Sequence, residues 1–224
     1  MWEALGEVLP AAAGVALSPV PIIAVVLMLG TPRARTNGPA FAVGWALGLV
    51  GASVLIFAMA SGADDPDSGT STVVDVVKLA VGLVFLAMVP TQWQARPAAG
   101  HPTAMPTWMS SVDHFTPLRA LGLGALLSAV NPKNLALTAA AAASVAEAGL
   151  DGVASAEVIA TFVILASLTV VGPVLFLFVA GDAAAKPLAS VKDFMIQSNA
   201  VIMLVILLVL GAKLVGDGIA GLTA

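Results

Sequence analysis

Long apolar runs dominate the chain, and short polar stretches separate them. A helix that spans a bilayer needs about 20 mostly apolar residues, and six runs approach or exceed this length. The sequence therefore predicts a single all-α membrane domain, because the connections are too short for a second folded domain. The six predicted transmembrane helices are Leu9–Leu29, Pro39–Ser61, Val73–Val89, Leu118–Val145, Val158–Ala180 and Phe194–Gly216.

Proline and polar residues interrupt two of these runs. The first run contains Ser18-Pro19-Val20-Pro21, and the fourth contains Asn131-Pro132-Lys133-Asn134. Proline removes a backbone donor and clashes with the preceding turn, whereas Ser or Asn followed by Pro favours the start of a new helix. We therefore predict that the first and fourth helices are each broken in two, with Ser18 and Asn131 as N-caps.

The two interruptions occupy similar positions in the two halves of the chain. Gly14 and Ser18 precede Pro21 with nearly the spacing at which Gly124 and Ser128 precede Pro132. Three spans in each half would give the halves opposite orientations in the membrane, as in transporters built from inverted repeats. We expect repeat one at 1–91, a cytoplasmic loop at 92–117 and repeat two at 118–224. The alternative is that the prolines only kink helices for packing.

Composition and charge define the environment. The chain is 59% hydrophobic with a net charge of −4, which excludes a water-soluble fold and a nucleic-acid partner. Basic residues favour cytoplasmic loops. We therefore predict a protein of the cytoplasmic membrane with both termini on the extracytoplasmic side. The basic residues of the loops predicted to be cytoplasmic are Arg33, Arg35, Arg96, Arg119, Lys186 and Lys192.

Lys133 is the most unusual residue of the apolar runs. A lysine at the centre of a membrane helix costs about 2.5–3.5 kcal/mol on insertion scales, and the acidic residues all lie in loops or near helix ends. We expect backbone carbonyls at Ala129 and Val130, together with the amides of Asn131 and Asn134, to solvate its ammonium. Because helix N-termini also carry partial positive charge, we predict a midplane site for an anionic group. Its residues are Ser18, Pro19, Pro21, Asn131, Pro132, Lys133 and Asn134. The alternative has Lys133 reaching an interface as an orientation determinant.

The loop before the fourth run mixes aromatic, imidazole and basic side chains, which is typical of a region touching lipid headgroups. The residues expected to do so are Gln92, Trp93, Arg96, Trp108, His114 and Arg119. The two histidines of the chain have no thiol or carboxylate at ligand spacing, and no Cys is present. We therefore predict neither a metal nor a cofactor, and no enzyme activity, since acid–base and nucleophilic groups are missing at membrane depth.

Small and aromatic residues predict helix contacts and membrane depth. Gly44 and Gly48 lie four apart in the second run, a spacing that lets helix backbones approach closely. We expect this face to serve packing, and it also permits a homodimer. Asn37-Gly38-Pro39 is typical of a turn leading into this helix. The tryptophans expected to anchor the chain at the interfaces are Trp2, Trp45, Trp93 and Trp108.

These motifs together resemble a known family. The stretches 131–135 and 17–21 are similar to those of the LysE superfamily of membrane exporters. The loop motifs Gln92-Trp-Gln-Ala-Arg96-Pro97, Pro106-Thr-Trp108-Met109 and Thr116-Pro117-Leu-Arg119 resemble more narrowly its GAP branch of glycolipid-addressing and sulfolipid-addressing proteins. The resemblance covers nearly the whole chain. It implies six spans, a cytoplasmic-membrane location and a role in moving lipid-linked material toward the cell surface.

Three functions remain open at this point. The first is a transporter or flippase that exports an anionic or glycosylated lipid or similar amphiphile. The second is a LysE-like exporter of small amino-acid-like solutes. The third is a non-transporting assembly factor that binds envelope lipid synthesis or export proteins through the loop 92–119. The chain lacks a Walker-type P-loop, and the acidic motifs and Cys pairs of cation-transporting and redox-carrying relatives are missing.

Overall fold

The computed structural model describes residues 1–61, 70–96, 112 and 114–223, and the regular structure of these residues is helical. A short 3₁₀ turn, Gly181–Ala184, separates the last two helices. The helices are α1 (Trp2–Ala16), α2 (Pro19–Leu29), α3 (Ala34–Ser61), α4 (Thr70–Gln94), α5 (Pro117–Ala129), α6 (Pro132–Glu147), α7 (Gly152–Ala180) and α8 (Ala185–Thr223).

Several helices extend beyond the predicted apolar runs. The structure begins α3 at Ala34, so the prediction of a turn at Asn37-Gly38-Pro39 is wrong. Pro39 is the sixth residue of this helix and lies beyond the first four positions, whose backbone N–H groups have no partner within the helix. Asn37 instead uses its side-chain amide to donate to the carbonyl oxygen of Phe115 at 2.9 Å. At the other end of the first half, α4 continues through Pro90 to Gln94.

The lengths and apolar character of the helices define a multi-pass membrane protein. Within the described residues, three helical stretches are long and apolar enough to cross a bilayer, namely Ala34–Ser61, Val74–Gln94 and Gly152–Thr223. The pair α1 and α2 passes the same test together, with a bend of 52° between them, which raises the number to four. Gly181 ends α7 with φ of 55°, a conformation that residues with a Cβ rarely adopt.

Glycines bring α3 and α5 into backbone contact. A Cβ on Gly44 would collide with the carbonyl of Leu121, and one on Gly124 would collide with the carbonyl of Phe41. The packing role predicted for the Gly44 and Gly48 face is therefore confirmed. The same contact covers this face with α5 of the same chain, so it does not remain open for a homodimer. Trp45 also lies in this contact and is fully buried, so its prediction as an interfacial anchor is wrong.

A second close contact joins α4 to α8. A Cβ on Gly82 would lie 2.7 Å from the backbone nitrogen of Val215, and one on Gly218 would lie 2.7 Å from the carbonyl oxygen of Asp75. Between these two pairs of helices, α1 packs against α6 and α7, and α2 packs against α8. The polar side chains next to the two interruptions, Ser18, Lys133 and Asn134, are buried in the bundle, whereas Leu17 and Val130 at the interruptions are 46% and 60% exposed.

Candidate functional site

Two short breaks in helical structure define the candidate site. The first break is Leu17-Ser18, between α1 and α2, and the second is Val130-Asn131, between α5 and α6. Both following helices begin with proline at the first position, which lacks the backbone donor that would be unpaired there. Side chains from the start of α6 cross the bundle to the end of α1.

Lys133 makes the central contacts between the two breaks. Its Nζ donates to the carbonyl oxygen of Gly14 and to Oγ of Ser18, each at 2.6 Å. Only 6% of the residue is exposed, so the nitrogen lies within the bundle. The expectation that carbonyls at Ala129 and Val130 solvate the ammonium is wrong. The acceptors are instead Gly14 of α1 and Ser18 of the first break.

Ser18 extends this contact into a chain of hydrogen bonds. Its hydroxyl donates to Oδ1 of Asn134 at 2.8 Å, and Nδ2 of Asn134 donates to the carbonyl oxygen of Leu127 at 3.0 Å. The donor direction is consistent, because Ser18 accepts from Lys133 and gives its single proton to Asn134. Ser18 and Asn134 are 2% and 0% exposed. Such buried polar groups stabilise a structure only when their partners are present.

The two residues predicted as N-caps behave differently. Oδ1 of Asn131 accepts from the backbone nitrogen of Lys133 at 3.1 Å, which is a side-chain cap. Ser18 precedes α2 without any side-chain cap bond, so its predicted capping role is wrong. A capping hydroxyl accepts from the backbone N–H of the second or third residue of its helix. Here the oxygen of Ser18 accepts from Nζ of Lys133, and the third residue of α2, Pro21, has no N–H. Pro19 and Pro21 are buried beside this break, whereas Pro132 is exposed.

The break in α1 also frees a carbonyl that sequence reasoning did not assign. The hydroxyl of Thr169 on α7 donates to the carbonyl oxygen of Ala16, the last residue of α1. A threonine on an apolar helix is a weak signal, since its hydroxyl more often bonds within its own helix, as Thr161 does with Glu157. Thr169 thereby attaches the end of α1 to α7.

The ion pairs of the described residues do not include Lys133. Among the residues that the structure describes, no carboxylate lies within ion-pair distance of Lys133. Ion pairs join Lys78 to Glu147 (2.6 Å) and Lys213 to Glu7 (3.2 Å). Lys78, Glu147 and Glu7 line a cavity of about 550 Å³. These two pairs join α4 to α6 and α8 to α1. The site therefore contains a buried lysine without a carboxylate partner in the described part of the chain.

The residues predicted to form a headgroup-contacting loop are only partly brought together. Arg96 places its guanidinium 3.1 Å from the ring centroid of Trp93, and Trp93 is 56% exposed. Gln92 is half-buried near the end of α4, while His114 and Arg119 are exposed. Trp108 lies outside the described residues.

Buried hydroxyls without partners were not anticipated from the sequence. Ser53, Thr138 and Ser167 have no hydrogen-bond partner for their side-chain oxygens among the described residues. Thr138 lies one turn after Asn134 on α6 and is fully buried. Unpaired buried hydroxyls are costly, so these positions increase the polar character of an otherwise apolar interior.

Taken as a class, this is an all-helical multi-pass membrane protein with a buried polar site between two helix interruptions. The family model described as "Sap, sulfolipid-1-addressing protein" (SfLAP) matches residues 8–220. The chain therefore belongs to the sulfolipid-1-addressing protein family, and the resemblance to GAP-branch proteins is confirmed. No curated protein and no solved structure matches the chain.

Proposed function

We propose that the chain moves an anionic or glycosylated lipid, or a similar amphiphile, across the cytoplasmic membrane toward the cell surface. The observation that carries this proposal is the contact of Lys133 with Gly14 and Ser18, which joins two helix interruptions inside the bundle. The family description, which names the addressing of a sulfolipid, supports a lipid substrate.

The architecture proposed for this function has six membrane passes. In it α1 with α2 forms the first pass, α5 with α6 forms the fourth, and α3, α4, α7 and α8 form the others. The four shorter helices have 15, 11, 13 and 16 residues, or about 16 to 24 Å each at 1.5 Å per residue. Each interruption would then lie near the middle of a hydrocarbon core of about 30 Å.

The packing of the helices supports two inverted repeats, one ending near residue 91 and the other beginning near 118. Exchanging the halves pairs α1 with α5, α2 with α6, α3 with α7 and α4 with α8. The exchange turns the observed contact of α3 with α5 into that of α7 with α1, and the contact of α2 with α8 into that of α6 with α4. It also leaves the contacts of α3 with α7 and α4 with α8 unchanged. The contact of α1 with α6 has no mate of comparable extent.

The substrate's anionic group would bind at the residues around the two breaks. Ser18, Lys133 and Asn134 supply the polar atoms, and the prolines at positions 19, 21 and 132 set the breaks. In its ammonium form Lys133 has three N–H groups, and two are used by Gly14 and Ser18. The third is available to a phosphate, sulfate or carboxylate. Because no carboxylate among the described residues balances this charge, an anion is the favoured ligand.

The proposed movement is a displacement of one repeat against the other, which would open the site to each side in turn. The ion pairs that join α4 to α6 and α8 to α1 cross between packed helix pairs, and they would have to separate at one end. Both termini would lie outside the cytoplasm, as the positions of the basic loops predict.

Purified protein in liposomes tests the proposed function. The lipid is phosphatidylglycerol with a fluorescent label. Its movement is measured as the increase in the fraction of label that an impermeant quencher can reach. We expect the protein to move this lipid between leaflets well above the rate of protein-free liposomes. Movement at the protein-free rate would contradict transport and favour an assembly factor. Release of labelled amino acids from the same liposomes, without lipid movement, would favour a solute exporter.

A further inference from the structure

A second cavity, separate from the residues around Lys133, lies between α2, α7 and α8. Its volume is about 560 Å³, within the range of roughly 300–1,000 Å³ that is usual for small-molecule sites. Four leucines contribute to its wall: Leu27 and Leu29 of α2, Leu177 of α7 and Leu188 of α8. A cavity of this size and lining exceeds what a free inorganic anion requires, and it fits an amphiphile.

Charged side chains line the same cavity. Arg35 stands near the start of α3, Lys192 lies near the start of α8, and Asp182 lies in the 3₁₀ turn between α7 and α8. Arg35 forms no ion pair with any residue that the structure describes. Lys192 pairs only with its neighbour Asp193 within these ranges, at 3.4 Å, and the carboxylate of Asp193 is 59% exposed. The cavity therefore offers two cations and one carboxylate beside apolar walls.

We propose that this cavity binds the headgroup of one anionic lipid taken from the adjoining membrane leaflet. Arg35 and Lys192 bind the phosphate or sulfate of the headgroup, and Asp182 accepts hydrogen bonds from its hydroxyl groups. The leucine wall holds the beginning of an acyl chain. Guanidinium and ammonium groups bind such oxyanions by charge-assisted hydrogen bonds, and a carboxylate accepts from hydroxyls but not from another anion. The ligand class is therefore an anionic lipid whose headgroup carries hydroxyls.

The position of the cavity relates it to the site at Lys133. It lies at the end of α2 that includes Leu29, whereas Ser18 precedes the beginning of α2. The 11 residues of α2 correspond to about 16 Å at 1.5 Å per residue. Arg35 and Lys192 belong to loops and helix ends that the basic residues predict to be cytoplasmic. This inference rests on the proposed function in one respect: the cavity loads from the cytoplasmic leaflet the lipid that the central site then receives.

Lipid binding to the purified full-length protein in detergent tests the charged residues. The probe is phosphatidylglycerol with a fluorescent acyl chain, and phosphatidylcholine with the same chains is the comparison. We expect the double variant Arg35→Gln with Lys192→Gln to weaken phosphatidylglycerol binding at least tenfold and to leave phosphatidylcholine binding unchanged. Lys186→Gln is the matched control, because Lys186 is an exposed lysine at the start of the same helix outside the cavity lining. Equal affinity of the double variant and the control would overturn the inference.

A second variant tests the cavity without changing its charge. Ala189 lines the cavity and its neighbour Ser190 does not; the hydroxyl of Ser190 bonds only within its own helix, to Lys186. We expect Ala189→Trp to fill the cavity and lower phosphatidylglycerol affinity at least tenfold, while Ser190→Trp keeps the wild-type affinity. Wild-type affinity in both tryptophan variants would contradict the proposed binding site.

Two further measurements are needed. The first distinguishes a bound lipid from a free anion, and the second distinguishes a failure of this inference from a failure of the proposed function. Excess inorganic phosphate should leave phosphatidylglycerol bound, because it cannot use the leucine wall; displacement by phosphate would mean a simple anion site and would overturn the inference. If the double charge variant and Ala189→Trp both move lipid in liposomes at the wild-type rate, the loading site is contradicted and the transport proposal is not. If the cavity variants weaken phosphatidylglycerol binding as expected but the wild-type protein moves no lipid between leaflets, the binding site is supported and the transport proposal is contradicted.

Discussion

The two helix interruptions share a sequence pattern and differ in what their polar residues do. At the second interruption Asn131 caps its own helix by accepting from the backbone of Lys133. At the first, Ser18 provides no cap for α2 and donates its proton to Asn134 across the bundle. The second interruption thus supplies the donor side chain of Lys133, and the first supplies the acceptors, Gly14 and Ser18.

This difference separates local from long-range roles. A cap stabilises one helix start and contributes about 1 kcal/mol. A buried hydroxyl between two chain segments is needed by both, so its loss leaves partners without hydrogen bonds and costs more. We therefore expect the site to tolerate changes at the second interruption better than changes at the first, except at Lys133 and Asn134, whose side chains bond to the first interruption.

The largest effect is expected at Lys133. Lys133→Met keeps a long apolar side chain and removes the donor, so lipid movement in liposomes should fall at least tenfold, toward the protein-free rate. Lys186→Met is the matched control, because Lys186 is an exposed lysine near the start of α8 and belongs neither to the proposed binding site nor to the ion pairs that join the helices. Retention of wild-type movement by Lys133→Met would remove Lys133 from the mechanism.

The next effect concerns the half-helix that leads to the second interruption. A side chain on Gly48 would collide with Oγ of Ser128 and approach the carbonyl of Ala125. Gly48→Leu should therefore destabilise the protein by about 1–3 kcal/mol, as overpacking usually does. Unfolding free energy in mixed micelles with increasing SDS measures this. Gly51→Leu is the control, because a Cβ on Gly51 meets nothing within 4 Å. Equal stability of the two variants would contradict the close packing of α3 on α5.

A pair of single variants compares the two interruptions directly. Ser18→Ala removes the acceptor of Lys133 and the donor to Asn134, and it should cost about 1–3 kcal/mol of unfolding free energy. Asn131→Ala removes only a cap and should cost about 1 kcal/mol. The same SDS titration measures both. The reverse order, with Asn131→Ala the more damaging, would argue against a long-range role for Ser18.

The smallest effect is expected on α7. Thr169→Val preserves the shape of the side chain and removes the donor to the carbonyl of Ala16, so we expect a loss of about 0.5–1.5 kcal/mol. Thr161→Val is the control, because its hydroxyl bonds within its own helix. A loss no larger than that of the control would mean that Thr169 does not hold the end of α1.

Helical structure is interrupted directly before Pro19 and Pro132, but Pro10, Pro39, Pro90 and Pro173 lie inside helices. Proline alone therefore does not determine where a helix ends.

Pairings between distant residues were not predictable from the local sequence. Lys133 was expected to bond near Ala129, whereas its acceptors, Gly14 of α1 and Ser18 of the first interruption, lie more than a hundred residues away in the chain. The sequence around Ser18 predicted an N-cap, but its hydroxyl bonds instead to the buried side chains of Lys133 and Asn134. The amphipathic side chain of Trp45 suggested a place at the membrane interface. Trp45 is buried because α3 and α5 approach closely, which the local sequence does not show.

The central claim is that Lys133 and Ser18 bind each other across the two interruptions. A double-mutant cycle of Ser18→Ala and Lys133→Met, measured as unfolding free energy in the SDS titration, tests this contact directly. The account predicts a coupling energy of about 1 kcal/mol or more, within the range of roughly 0.5–3 kcal/mol usual for residues in contact. The pair Ser18→Ala with Lys78→Met should be additive. Additive effects for Ser18 and Lys133, within about 0.3–0.5 kcal/mol, would contradict the account.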